Sequence, residues 1–123
     1  MILVDTSLWV DHLRRSNLQL VALLQQRQVL THPFVIGELA LGNLQHRQEV
    51  LRVLRGLPAA TAATDDEVLS LIDRQALYGN GIGYIDAHLL ASARLNAGCK
   101  LWTLDKRLHA AATCLSVALS ARH

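Results

Sequence analysis

Apolar residues in this chain come in short continuous runs, and between them lie segments with apolar positions three and four apart. Ile2-Leu3-Val4 is one such run, stopped at once by Asp5-Thr6-Ser7. It reads as a short buried strand. Leu8, Trp9, Val10 and Leu13 then follow helical spacing, with Thr6 or Ser7 as the expected cap. Asn17 can cap a second helix carrying Leu20, Val21, Leu23 and Leu24. Val29-Leu30-Thr31 reads as a second strand, and Pro33 suits the first position of a helix over 33–44. A further helix is expected over 46–55, stopped by Gly56 and Pro58.

The second half repeats the alternation. Ala60-Thr61-Ala62-Ala63 is expected as a third strand. Thr64 with Glu67 three residues on matches a capping box, opening a helix to about Tyr78. Gly79, Gly81 and Gly83 form a flexible break; their spacing fits no dinucleotide fingerprint, and no Walker-type Gly-Lys-Ser/Thr occurs. A helix follows over 84–97, ended by Gly98. Lys100 to Thr103 reads as a strand, Asp105 opens a short helix, and Leu115-Ser116-Val117 is expected as a last strand. The tail over 118–123 has no assignment. Strands alternating with helices predict an α/β fold, a parallel sheet covered on both faces. No repeat, linker or low-complexity segment divides the chain, so a single domain over 1–123 is expected.

Composition narrows the class. Aromatic residues make up only 4 %, which argues against a base-stacking surface as the main device. The apolar runs are too short to span a membrane, and no basic segment followed by a cleavable apolar one opens the chain, so a cytoplasmic protein is expected. In that compartment Cys99 and Cys114 are expected as buried free thiols. The 6 histidines share no metal-ligand spacing, and most read as surface residues. Arg47, Arg52 and Arg55 are read as a solvated helix face, with Val50, Val53 and Leu54 left for packing.

Charge is more informative. Net charge is +2, from 12 basic and 10 acidic side chains. Asp5 and Asp105 follow predicted strands directly, on the edge where open α/β sheets bind ligands. Asp86 falls in the first turn of its helix, and Glu38 lies inside an apolar one, flanked by Phe34 and Leu41 on its own face. With these four set apart, the remaining body is basic, which suits a polyanionic substrate. Three of the acids have structural explanations: Asp5 as a turn or cap, Asp105 as a cap, Asp86 as a complement to the helix dipole. Glu38 is the hardest to excuse, because a lone carboxylate on an apolar face is costly to bury. Gathered together, the four offer a hard-oxygen site for Mg²⁺ or Mn²⁺, with Thr6, Ser7 and Thr103 as neighbouring hydroxyls that orient them or cap helices.

The chain resembles the PIN-domain ribonucleases, and more narrowly the VapC toxins of bacterial toxin–antitoxin pairs. The likeness rests on Leu3-Val4-Asp5-Thr6-Ser7-Leu8-Trp9, Glu38-Leu39, Gly83-Tyr84-Ile85-Asp86 leading to Ala91 and Ala93, and Leu101-Trp102-Thr103-Leu104-Asp105. It implies a three-layer α/β/α sandwich around a parallel sheet of about five strands. It also implies endonucleolytic cleavage of RNA with Mg²⁺ or Mn²⁺, the metal held by Asp5 and Asp86 with Glu38 and Asp105 completing a quartet. Ser7 and Thr103 match its supporting hydroxyls. A homodimer and a VapB-type antitoxin that blocks the site are further implications, with Trp9, Leu13, Leu20 and Leu24 as candidates for the antitoxin groove. Two alternatives remain at this point: a phospho-receiver signalling module, and a catalytically silent protein-binding domain.

Overall fold

The computed structural model describes residues 1–120. Strand β1 (Ile2–Val4) lies between β2 (Val29–Leu30) and β3 (Lys100–Trp102), parallel to both. Its register sets Leu3 against Leu30 on one side and Leu101 on the other. Leu3, Val4 and Leu101 are completely buried, as a sheet covered on both faces requires.

The two outer strands expected from the sequence are each reduced to a single parallel bridge, Thr31 to Ala59 and Leu101 to Ala118. At one edge Thr31 N donates to Pro58 O and Ala60 N to Thr31 O; at the other Leu101 N donates to Val117 O and Leu119 N to Leu101 O. Five stretches therefore lie side by side, but only three form ladders. Alanines over 59–63 offer little side-chain surface to hold a longer edge strand. Ser116 has a left-handed φ of 62°, which breaks the expected strand at its centre.

Seven helices complete the described chain. They are α1 (Thr6–Arg15), α2 (Leu18–Gln25), α3 (Pro33–Leu41), α4 (Arg47–Gly56), α5 (Asp65–Arg74), α6 (Tyr84–Leu95) and α7 (Lys106–Cys114). Asn17 caps α2 by accepting from Leu20 N, and the Thr64–Glu67 capping box opens α5. Pro33 stands in the first turn of α3, as its fixed φ favours. The cap of α1 is Asp5 in position, not Thr6 or Ser7, whose hydroxyls are engaged elsewhere. Helix α5 stops short of Tyr78 because Ala76 turns into left-handed φ. Gly56 is the last residue of α4, with Leu57 at the cap position.

Helix α6 is the axis of the core: every residue from Ala87 to Ala93 is buried. Small side chains at Ala87, Ala91, Ser92 and Ala93 let neighbouring elements approach closely, while Leu89 and Leu90 fill the core. Some sequence expectations fail here. Of the histidines, mostly expected at the surface, His32 and His88 are buried; Cys114 is exposed although Cys99 is buried, and both thiols are free. Val53 is exposed; Leu51 and Leu54 are buried and Val50 packs against the core beside them. Among the described residues no helix is long and apolar enough to cross a membrane.

Candidate active site

The parallel strands deliver Asp5, Thr103 and Asp105 to one edge of the sheet. Asp5 follows β1, and its backbone N donates to Trp102 O of β3. Its carboxylate is buried, 6 % exposed, yet it makes no ion pair among the described residues. Two hydroxyls stabilise it instead. Ser7 Oγ donates to Asp5 Oδ2 at 2.8 Å, and Thr103 Oγ1 donates to the same oxygen at 2.7 Å. Each such bond to a charged group contributes about 1.5–3 kcal/mol. Both hydroxyl hydrogens are committed to Asp5, so the 3.3 Å approach of Ser7 Oγ to Thr103 Oγ1 is packing, not a third bond.

The same two oxygens also accept. Leu104 N donates to Ser7 Oγ and Asp105 N to Thr103 Oγ1, both at 3.0 Å. The turn after β3 is thereby tied to α1 across nearly the whole length of the chain. Asp5 Oδ2 is saturated, while Asp5 Oδ1 accepts no hydrogen bond among the described residues and is not an enclosed, partnerless atom. One oxygen is anchored and the other is left to meet a ligand.

Glu38 projects from α3 toward α1, where Thr6 Oγ1 donates to its Oε1 at 2.6 Å. Its carboxylate is half-buried. The expected apolar surround is only partly there, since Leu41 is 91 % exposed. Glu38 is therefore less costly to fold around than its sequence neighbours suggest, and a hydroxyl is its partner.

Asp86 stands in the first turn of α6 and accepts from Gly83 N at 3.0 Å. Its pKa is nevertheless raised. Burial is the largest cause; the Gly83 hydrogen bond opposes it, and the negative charges of Asp5, Asp105 and Glu38 add to it. Those three carboxylates thus lie within electrostatic reach of Asp86, on three other elements of the fold. Asp105 is exposed, and its Oδ1 accepts from Arg107 N and Leu108 N, capping α7. The cap role expected as its structural explanation is real.

All four acids therefore share one edge and one field. Among the described residues, however, no three Asp, Glu, His or Cys side chains converge closely enough to cage an ion as they stand. The donor set itself fits a hard divalent cation: oxygen ligands only, one carboxylate oxygen left free at Asp5, and mutual repulsion that positive charge would relieve.

A cleft of about 760 Å³ opens beside Glu38 and Thr6 and runs toward Arg14, Asn43, Gln45 and His46. A separate groove between α5 and α6 of about 480 Å³ lies around Glu67, Arg74 and Arg94, away from the acids, and has no part in this chemistry.

One set of residues at this edge is not evident from the sequence. Asp65 serves as more than a first-turn acid: Tyr84 Oη donates to its Oδ1 at 2.6 Å, and His88 Nε2 lies 3.1 Å from the same oxygen. These two contacts hold the Asp65 carboxyl below its usual range, Tyr84 first. The i, i+4 spacing of Tyr84 and His88 is the only sequence signal for the pairing.

A fold of this kind with acids at these four places defines a class. The family model described as PIN domain matches residues 2–113, and the chain belongs to that family. Membership removes the phospho-receiver alternative. The chain is 49 % identical over 120 residues, 98 % of its own length and 97 % of the relative's, to Ribonuclease VapC32 of Mycobacterium tuberculosis, strain CDC 1551 / Oshkosh. The same figures hold for Ribonuclease VapC32 of strain ATCC 25618 / H37Rv.

Proposed function

We propose that the protein is a metal-dependent endoribonuclease and the toxin component of a type II toxin–antitoxin pair, working in the cytoplasm. The observation that carries the reading is the state of Asp5: buried, anchored through one oxygen by Ser7 and Thr103, and sharing an edge with Glu38, Asp86 and Asp105. Full-length likeness to a ribonuclease supports it.

Asp5, Glu38, Asp86 and Asp105 would hold Mg²⁺, with Mn²⁺ able to substitute. A bound ion would supply Lewis-acid chemistry, activating water and offsetting charge on the leaving oxygen. The chain's own part is positioning. Ser7 and Thr103 fix the rotamer of Asp5, Thr6 fixes Glu38, and Gly83 N–H fixes Asp86, so little reorganisation is needed when the substrate arrives. The products expected from the family are a 5′-phosphate and a 3′-hydroxyl, as attack by water with departure of the 3′-oxygen would leave.

The partner is a small VapB-like antitoxin that blocks the site, and the protein itself forms a homodimer. An apolar cleft of about 230 Å³ between α1, α2 and α4 is the docking surface, with Leu13 and Val53 exposed at its rim. Trp9 and Leu20 are core residues; Trp9 reaches the cleft floor, but Leu20 does not line it.

Asp5→Ala and Asp86→Ala should abolish cleavage of total cellular RNA while circular dichroism shows the fold retained. Full metal-stimulated cleavage by either purified variant would remove the assignment.

A further inference from the structure

The chain has one Phe and 2 Tyr. Phe34 and Tyr84 both stand at the edge that carries the acids. Phe34 lies one turn before Glu38 on α3, and Tyr84 opens α6 two residues before Asp86. Both rings are partly open to solvent, Phe34 at 39 % and Tyr84 at 45 %.

Neither ring is loose. His88, itself buried, lies between them with its centroid 4.7 Å from each, edge-on at 66° to Phe34 and 87° to Tyr84. His32 flanks Phe34 at 5.2 Å and 63°, and its Nδ1 accepts from Phe34 N. The Tyr84 hydroxyl is fixed by Asp65. Buried imidazoles thus immobilise two aromatic rings whose remaining surface faces water. Other large apolar side chains are more exposed, Leu41 and Tyr78 among them, so exposure alone does not set these rings apart; their bracing beside the acids does. Rings already fixed lose little conformational freedom when a flat ligand stacks on them.

We propose that Phe34 and Tyr84 form a base-stacking platform beside the acids, which takes an unpaired base flanking the scissile phosphate. The proposal rests on the ribonuclease reading and deepens it by naming the side chains that take the flanking base. An RNA base inside a helix keeps its faces stacked on its neighbours, whereas an unpaired one offers them to aromatic side chains. Stacking tolerates sequence, because every base has a π-face. Two of the five Phe, Tyr and Trp rings stand here, so the platform has room for one or two bases and not for a long single strand.

Cleavage sites are first mapped in total cellular RNA with wild-type protein, and a synthetic RNA spanning one site is then the probe. Phe34→Leu and Tyr84→Leu should each raise KM about 5- to 150-fold, with kcat within about twofold. Phe34→Trp, which keeps a stacking face, should recover most of the KM lost in Phe34→Leu; Tyr84→Phe keeps the face but frees the ring from Asp65, so its KM should lie between those of wild type and Tyr84→Leu. An abasic residue placed beside the cleaved bond should impose the same penalty on wild type, and should add little to that of the Leu variants. This abasic arm needs no protein variant, so a wild-type KM indifferent to it overturns the platform even if a Leu variant fails to fold. Unchanged KM in the Leu variants and with the abasic probe would overturn the platform and leave these rings to a protein contact. A loss confined to kcat would overturn it too. If wild-type protein cuts no RNA, the ribonuclease reading itself falls and the platform falls with it.

Discussion

Thr103→Val tests the anchoring of Asp5 most sharply. The substitution keeps shape and removes one hydroxyl. Asp5 Oδ2 then loses the 2.7 Å bond from Thr103 Oγ1, and Asp105 N loses its acceptor at 3.0 Å. Ser7 Oγ remains as the other donor to Asp5. A hydrogen bond to a charged group contributes about 1.5–3 kcal/mol, and a backbone N–H left without a partner adds to the loss, giving a total near 2–4 kcal/mol. For a domain of this size that corresponds to roughly a 10 °C fall in Tm, read by thermal denaturation in EDTA. Residues that orient metal ligands typically change metal affinity by about 10- to 100-fold, and calorimetric titration with Mn²⁺ reads that directly. Thr103→Ser, which keeps the hydroxyl, should recover most of both. A Thr103→Val protein with wild-type melting temperature and wild-type Mn²⁺ affinity would refute the reasoning.

Other outcomes follow from the same geometry. Thr6→Val removes the 2.6 Å bond to Glu38 Oε1, and should slow RNA cleavage about tenfold in a kinetic assay while leaving the melt little changed. His32 is buried, and burial followed by the nearby charge of His88 lowers its pKa to about 4. The unfolded chain then binds a proton at its ordinary pKa of about 6.5 while the fold does not, so stability falls as pH drops from about 6.5 to about 4 and levels off below. The loss is at most about 3 kcal/mol, less whatever relaxation and entering water return. His32→Asn keeps a cap acceptor for Phe34 N, and urea unfolding of this variant across that range should show a correspondingly weaker pH dependence than wild type. An equal slope would show that His32 titrates normally in the fold.

Much of the fold is legible in the sequence because local chemistry and tertiary packing agree. Ile2-Leu3-Val4 stopped by Asp5 is a buried strand with an acid at its end, and the Thr64–Glu67 pair opens α5 as its spacing requires. The acids at 5, 86 and 105 are placed by strand ends and helix starts, which sequence patterns mark well. What the sequence does not reveal depends on contacts between distant residues. Ser7 and Thr103 both donate to one oxygen of Asp5, and no local pattern announces that. The outer strands fail for reasons that propensity hides: the alanines near Ala59 offer little surface, and Ser116 is held at positive φ. Helical spacing also misassigns faces where a helix lies near the surface, as Leu41 and Val53 show. The sequence does not mark which histidines are buried; His32 and His88 are, one imidazole capping α3 and the other meeting Asp65.

The central claim is that the four acids hold a divalent cation for RNA hydrolysis. Its most direct test is to strip the purified wild-type protein with EDTA, add total cellular RNA, restore Mg²⁺ or Mn²⁺, and map the new 5′ ends. The account predicts no cleavage in EDTA and discrete cuts bearing 5′-phosphates once either metal returns. Cleavage at full rate in EDTA, or none with either metal, would contradict it.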